Sequence, residues 1–239
     1  MKFGVVLFPG SNCDDDLMHV IGEVYLQRIK KIWHKETSLV GFNPGDCIFI
    51  PGGFSYGDYL RCGAIARFSP IMNDVIRFAD EGGLVIGICN GFQILCEAGL
   101  LPGQLLANLS HKFICKTVHL KPVSLNTPLT YDLDKSRTYQ IPIAHADGRY
   151  YAEDNVLADL VSNNQILFSY SDEFGNVDAS TNINGSCLNI AGICNAERNV
   201  CGMMPHPERA AESILGNQDG DLIFKSMLTW MKEHSALIA

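Results

Sequence analysis

The ten residues Leu84-Val85-Ile86-Gly87-Ile88-Cys89-Asn90-Gly91-Phe92-Gln93 constrain this chain more than any other stretch. An apolar, largely β-branched run bounded by Gly82-Gly83 has the length of a buried strand in a parallel sheet. It passes through Gly87 to a cysteine, and residues 92–98 then suit a helix. Gly87 and Gly91 flank Cys89 at two-residue spacing. Small residues there permit a sharp strand-to-helix turn that exposes a nucleophile. A thiol in that position faces the positive end of the following helix, where thiol pKa values fall to roughly 3.5–7.5. A structural cysteine closing a buried strand fits the same residues, so the rest of the chain has to decide.

The surrounding pattern predicts a doubly wound α/β sheet. Residues 3–8 read as a first strand stopped by Pro9-Gly10. Ser11 or Asn12 is expected to cap a helix whose first turn holds Asp14, Asp15 and Asp16, which complement its dipole. Leu17, Val20, Ile21 and Val24 share one face of that helix, which ends near Leu26. Residues 29–33 and 46–50 read as strands, the latter broken by Pro51-Gly52-Gly53, and helical pattern returns over 70–80. Strands alternating with helices in this way imply an open, mostly parallel sheet with helices on its faces, a flavodoxin-like core. After Gly103 the texture changes. Short strands are expected at 113–123, 140–144, 166–170, 189–194 and 200–204, and an amphipathic helix over 221–232 carries Leu222, Phe224, Met227, Leu228 and Met231. No linker, repeat or low-complexity segment interrupts 1–239, which predicts a single domain: a parallel core with an antiparallel β extension.

Composition removes several function classes. A net charge of −8 over 239 residues offers no basic patch for a phosphate backbone, so no nucleic-acid partner is expected. The apolar runs are too short to cross a bilayer, and Pro9-Gly10 ends the first one too early for a signal peptide. The nine cysteines are an odd number without C-x-x-C pairs. They read as reduced thiols in a cytoplasmic protein, with no metal site implied.

A cysteine nucleophile needs a base within hydrogen-bond reach and a group that orients the base. Seven histidines compete. His19 and His34 fall in the first helix and second strand, away from strand C-terminal edges; His111 and His119 lie in the β-rich middle, and His234 near the end. His206 follows an apolar strand, where open α/β sheets place their sites. It lies between Pro205 and Pro207, with Glu208 two residues on to accept the other imidazole N–H. His145 also follows a strand and has Asp147 two residues later, so spacing alone leaves both open. The oxyanion of an acyl-transfer step needs backbone donors. Asn90, next to the nucleophile, supplies one amide, and the loop Pro51-Gly52-Gly53-Phe54 can supply the second. That loop lacks the Lys-Ser/Thr pair and the G-x-G-x-x-G spacing of nucleotide loops.

Assembled, these segments resemble the class I, triad-type glutamine amidotransferases. The elbow from Gly87 to Gln93 and His206-Pro207-Glu208 carry that likeness. Phe8-Pro9-Gly10-Ser11-Asn12-Cys13-Asp14, the stretch 51–61 with Gly63-Ala64-Ile65-Ala66, Asn189-Ile190-Ala191-Gly192-Ile193-Cys194-Asn195 and Met203-Met204-Pro205-His206-Pro207-Glu208-Arg209-Ala210 narrow it to the PurQ-type glutaminase subunits of phosphoribosylformylglycinamidine synthase. The likeness spans the first strand to the last helix and is weakest over 121–140. It implies Cys89 as nucleophile, His206 as base, Glu208 as orienting carboxylate, and Gly52, Gly53, Asn90 and Gln93 around the oxyanion and substrate. It further implies glutamine as substrate and no cofactor in this chain. Ammonia would pass to a large synthetase subunit that uses ATP and Mg²⁺ to convert formylglycinamide ribonucleotide to its amidine, with a small bridging subunit. Two departures stand out. Ile183 replaces the usual proline, and Ala146-Asp147 replaces Gly-Glu, which puts local loop geometry or partner contacts in doubt rather than the chemistry. Arg61 and Arg209 are candidates to face the partner or gate the site, and Cys62 is the thiol whose exposure matters. A stand-alone cysteine hydrolase of the DJ-1/PfpI type, or a binding module with a structural cysteine, remains the alternative that the elbow alone permits.

Overall fold

The computed structural model describes residues 1–234. The strands are β1 (Phe3–Leu7), β2 (Ile29–Trp33), β3 (Cys47–Ile50), β4 (Leu84–Ile88), β5 (Gln104–Leu106), β6 (Ile114–Pro122), β7 (Tyr139–His145), β8 (Arg149–Tyr151), β9 (Ile166–Ser171), β10 (Ile190–Cys194) and β11 (Val200–Met203). The α-helices are α1 (Asp14–Met18), α2 (Pro70–Asp80), α3 (Asn90–Glu97), α4 (Asp154–Ser162) and α5 (Asp219–His234). One sheet of nine strands runs β2-β1-β3-β4-β11-β10-β9-β6-β7, and β5 pairs with β8 separately.

From β2 to β11 every neighbour is parallel; from β11 to β7 every neighbour is antiparallel. The expected parallel core and antiparallel extension therefore meet at β11. Strands β3 and β4 are buried along their whole length, as continuous apolar runs covered by helices on both faces must be. Helix α2 starts on Pro70, whose missing N–H costs a first turn nothing, and turns Ile71, Met72, Val75 and Phe78 inward. Each such side chain gains roughly 1.5–3 kcal/mol on leaving water. On the opposite face α5 buries Ile223, Phe224, Met227 and Met231, with the Phe224 ring 6.5 Å from that of Phe49. Strand β7 instead alternates buried and open residues, the mark of a sheet with one face toward water.

Three local expectations change. Cys13, not Ser11 or Asn12, caps α1, and it does so without a side-chain bond. The Ser11 hydroxyl accepts from Phe8 N–H at 3.1 Å, and Asn12 Oδ1 accepts from the Cys13 thiol at 3.2 Å, so both oxygens serve the site loop instead. The first helix also widens into a π-helical segment, His19–Val24, before reaching Leu26 at φ 52°. Finally β5, β8 and α4 had no counterpart in the sequence reading. Two of them are three-residue strands, and α4 buries only Leu160, so none carries a strong periodic signal.

The C-terminal ends of β3, β4 and β11 come out side by side. Ile50 pairs with Gly87 and Met203 with Ile88, and the Cys89 amide donates to the Met203 carbonyl at 2.8 Å. This is the edge at which open α/β sheets bind ligands. Among the described residues no helix is long and apolar enough to cross a membrane.

Candidate active site

Cys89 sits between β4 and α3 at φ 52°, ψ −105°, a conformation non-glycine residues adopt only under constraint from their surroundings. The constraint is visible in the two glycines. A Cβ on Gly91 would lie 1.9 Å from the Ile50 carbonyl oxygen, and one on Gly87 would lie 2.6 Å from the Gly91 carbonyl carbon. Glycine is needed here because α3 crosses β3 and β4 with no room for a side chain. Cys89 is buried, with its thiol 3.9 Å from the Ala144 carbonyl. The Asn90 amide opens the first turn of α3, where no helical acceptor exists for it. Its side chain is locked, accepting from Ser55 N–H at 3.1 Å and donating to Gln93 Oε1 at 2.8 Å.

His206 emerges from β11, and its backbone N–H donates to the Pro142 carbonyl at 2.8 Å. Its Nδ1–H donates to Glu208 Oε1 at 2.6 Å, with both residues 2% exposed. That bond fixes the tautomer and leaves Nε2 as the unprotonated nitrogen of the neutral ring; it is buried without a hydrogen-bond partner. Burial alone would push the His206 pKa down. The Glu208 carboxylate, then the Cys89 and Cys13 thiols, override it and hold the imidazolium well above the ordinary histidine range. His206 thus shares a cleft with Cys89 while its ring is bonded to the Glu208 carboxylate.

Gly52 and Gly53 close the site from the β3 side. A Cβ on Gly52 would fall 2.8 Å from His206 Cε1 and 3.0 Å from the Cys13 sulfur. Gly53 stands at φ 144° in an isolated antiparallel bridge with Ser11. The bonds of that bridge run from Phe54 N–H to Gly10 and from Asn12 N–H to Gly52. In this pattern the bridging pair itself exchanges no bonds, which leaves the Gly53 N–H directed away from Ser11. Gly53, Cys89, Ala144 and His206 line one cleft with Asn12 and Arg209.

The other histidines do different work. His145 is buried and bonds Asn108 Oδ1 through Nδ1 at 3.1 Å. Asp147 makes no bond to it and instead accepts the Cys62 thiol at 3.0 Å, so spacing that matched His206 on paper gives no His–carboxylate pair here. His34 corrects the sequence reading. It follows β2 directly at the C-terminal edge and its Nδ1 meets the Tyr56 hydroxyl at 2.7 Å. His19 pairs with Glu212 at 2.7 Å on the surface, and the His234 ring stacks on Trp230 at 3.6 Å.

Gln93 uses both ends of its amide, donating to the Asp147 carbonyl at 2.6 Å while accepting from Asn90; it ties the Asp147 loop to α3. Arg61 forms an ion pair with Glu97 at 2.6 Å. Cys62 is only 7% exposed, and burial first, then the neighbouring carboxylates, raise its pKa. Asp147, a departure assigned to loop geometry from sequence, turns out to line the wall beside Cys89. Ile183, the other departure, packs half-buried against the core.

Sequence reasoning gave Cys13 no part in the site. Its thiol is buried against His206, and Arg209 donates to it at 3.1 Å. The only signal was its place in the Phe8–Asp14 segment. Cys13, His206 and Glu208 are the one group of potential metal ligands within 4.8 Å of one another among the described residues. A guanidinium already on the sulfur and a carboxylate already on Nδ1 make that set a poor cation cage.

Residues 1–231 match the CobB/CobQ-like glutamine amidotransferase domain family. The chain is 53% identical over 238 residues to the phosphoribosylformylglycinamidine synthase subunit PurQ of Salinibacter ruber, covering 100% of this chain and 98% of that one. It is also 53% identical over 237 residues to the same-named subunit of Moorella thermoacetica, covering 99% of each. A solved structure of PurLQS from Thermotoga maritima superposes with a TM-score of 0.83 at 41% identity, over 96% of this chain and 98% of that one. Likeness of this extent sets aside a stand-alone hydrolase of the DJ-1/PfpI type. With its elbow cysteine, its His-Pro-Glu turn and relatives matched end to end, the chain belongs to the CobB/CobQ-like glutamine amidotransferase family, among the PurQ subunits of phosphoribosylformylglycinamidine synthases.

Proposed function

We propose that Cys89, His206 and Glu208 release ammonia from glutamine by way of a cysteine thioester. His206 Nε2 takes the Cys89 proton, and the sulfur attacks the side-chain carbonyl carbon. The oxygen that becomes negative is held by the Gly53 and Asn90 amides. Collapse of this intermediate breaks the C–N bond as the imidazolium returns its proton to the nitrogen, and ammonia leaves. Water, deprotonated by the same imidazole, then opens the thioester to give glutamate and the free thiol. Glu208 stays ionised and stabilises the imidazolium in both halves. The observation that carries the reading is the 2.6 Å bond from Nδ1, which leaves Nε2 free in the cleft that His206 shares with Cys89.

The ammonia serves a large synthetase subunit that spends ATP, with Mg²⁺, to convert formylglycinamide ribonucleotide to its amidine, and a small subunit bridges the two. Support comes from the relatives' name and from the neighbour described as PurLQS. With nine free thiols, six of them buried, the chain suits the reducing cytoplasm.

Changing Cys89→Ala tests the reading. In the reconstituted complex, glutamine-dependent synthesis should fall by on the order of 10⁴–10⁶, while synthesis from added ammonium persists. Normal glutamine-dependent turnover in that variant refutes the assignment.

A further inference from the structure

We propose that Tyr56, clamped between His34 and Ser69, is a positioning residue that sets the Gly53 amide for the oxyanion of the glutaminase reaction. The inference rests on the reading above, in which Gly53 and Asn90 hold that oxyanion. The Tyr56 hydroxyl meets His34 Nδ1 at 2.7 Å and Ser69 Oγ at 2.9 Å. A phenol hydroxyl both donates and accepts, so it can serve the two partners at once. None of these three side chains lines the cleft that Cys89 shares with His206.

Both partners belong to well-anchored parts of the fold. His34 follows β2 directly; its N–H donates to the Leu7 carbonyl at 2.9 Å, and its carbonyl accepts from Ile71 N–H at 3.3 Å. The ring is buried, with the Trp33 ring 4.5 Å away at 69° and the Tyr56 ring 5.5 Å away at 89°. Burial first, then the charge of Lys35, lower its pKa, so the imidazole is neutral near pH 7. Ser69 is buried just before α2, and its carbonyl accepts from Met72 N–H at 2.9 Å. The phenol therefore joins the C-terminal edge of the sheet to the start of α2.

What the clamp holds is the turn after β3. Tyr56 stands at φ 54°, ψ 27°, and Gly57 follows at φ 70°. A left-handed conformation is costly for an aromatic residue and persists only where its surroundings over-determine it. Three successive amides of this turn are occupied. Phe54 N–H donates to the Gly10 carbonyl at 2.9 Å, Ser55 N–H to Asn90 Oδ1 at 3.1 Å, and Tyr56 N–H to the Pro9 carbonyl at 2.6 Å. Gly53 begins the run at φ 144°, and its own N–H has no acceptor among the described residues. The Ser55 bond also ties the turn to Asn90, whose amide is the second donor. Releasing the phenol lets Tyr56 relax out of the left-handed region, and the rotation reaches Gly53 three residues back. Oxyanion donors work only within about 2.7–3.1 Å of the place where the charged oxygen will stand. A small displacement of Gly53 is therefore felt in turnover rather than in binding.

The test uses the reconstituted complex. Tyr56→Phe removes the hydroxyl and keeps the ring. Its kcat for glutamine should fall by about 10-fold to 10²-fold, at or below the loss for removing an oxyanion donor outright, with KM within about threefold of wild type. Alkylation of Cys89 by iodoacetamide, followed on the Cys89 peptide, forms no oxyanion and should keep its wild-type rate. Ammonium-driven synthesis should also be unchanged. His34→Leu should lose as much kcat as Tyr56→Phe, and the double variant no more than either alone, because the pair acts as one unit. His34→Asn, whose amide stands where Nδ1 stood, should recover most of the rate. A fall in kcat below about tenfold for Tyr56→Phe, equal slowing of Cys89 alkylation, compounded losses in the double variant, or no recovery in His34→Asn each overturns the assignment. Should Tyr56→Phe fail to assemble, Ser69→Ala removes one of the two bonds and decides in its place, a fall below about threefold overturning the assignment. A wild-type complex that uses ammonium but leaves glutamine intact would instead overturn the glutaminase reading itself.

Discussion

Replacing Glu208 by Gln is the sharpest test of how the site holds charge. The variant keeps the shape of the carboxylate and removes its charge beside a buried imidazole at 2.6 Å. Two unit charges about 4 Å apart attract by about 4 kcal/mol at an effective dielectric of 20. Losing that attraction should raise the barrier for every state that needs the imidazolium by a similar amount, roughly 10³-fold in rate. The charge also holds the His206 pKa high against burial, so without it the imidazolium must deprotonate at lower pH. Glutamine hydrolysis by the reconstituted complex, followed against pH, should fall by about three orders of magnitude, with its alkaline limb moved toward acid. Rescue by the Glu208→Asp variant should be partial, since the shorter side chain restores charge without the bond length. A decrease below tenfold with an unmoved pH profile would show that Glu208 does not stabilise the imidazolium, and the proposed proton relay would be wrong.

Two further predictions concern the scaffold. Gly91→Ala places a methyl 1.9 Å from the Ile50 carbonyl oxygen, a backbone atom that cannot swing away. Overpacking of about 1–3 kcal/mol should lower the melting temperature by roughly 2–12 °C in a chain of this size, and an unchanged melting curve would contradict the close crossing of α3 over β3. His145, held near 4 against an ordinary value of 6.5, favours its neutral form when folded. Its contribution is fully present above about 6.5 and is lost as the pH falls toward 4, by roughly 3 kcal/mol. Urea unfolding of His145→Gln should therefore lose less stability than wild type between pH 6.5 and 4, and parallel losses would refute the assigned burial.

Much of the parallel half was legible because its signals are local. The residues 29–33, 70–80 and 84–88 formed the expected elements with the expected bounds, since continuous apolar runs and proline or glycine stops act over a few residues. The antiparallel half was placed to within one or two residues at most strands, but β5 and β8 escaped because a three-residue strand has no period to read. The first helix cap was misassigned for a related reason. Ser11 and Asn12 have the chemistry of caps, yet the loop after β1 turns their oxygens toward Phe8 and Cys13, and that choice depends on the loop after β3.

The chain by itself determined that a cysteine would stand at a strand-to-helix turn, because glycines at two-residue spacing act within five consecutive residues. It also determined the candidates for a base, narrowed to two. Their surroundings differ only in the tertiary structure: β11 lies beside β4 and brings His206 into the cleft of Cys89, while Glu208 reaches its ring and Asp147 makes no bond to that of His145. It also brought Cys13 under the imidazole and gathered Asp58, Asp147 and His145 into one wall. Strand order and loop approach are set by the packing of segments far apart in sequence, and no spacing along the chain records them.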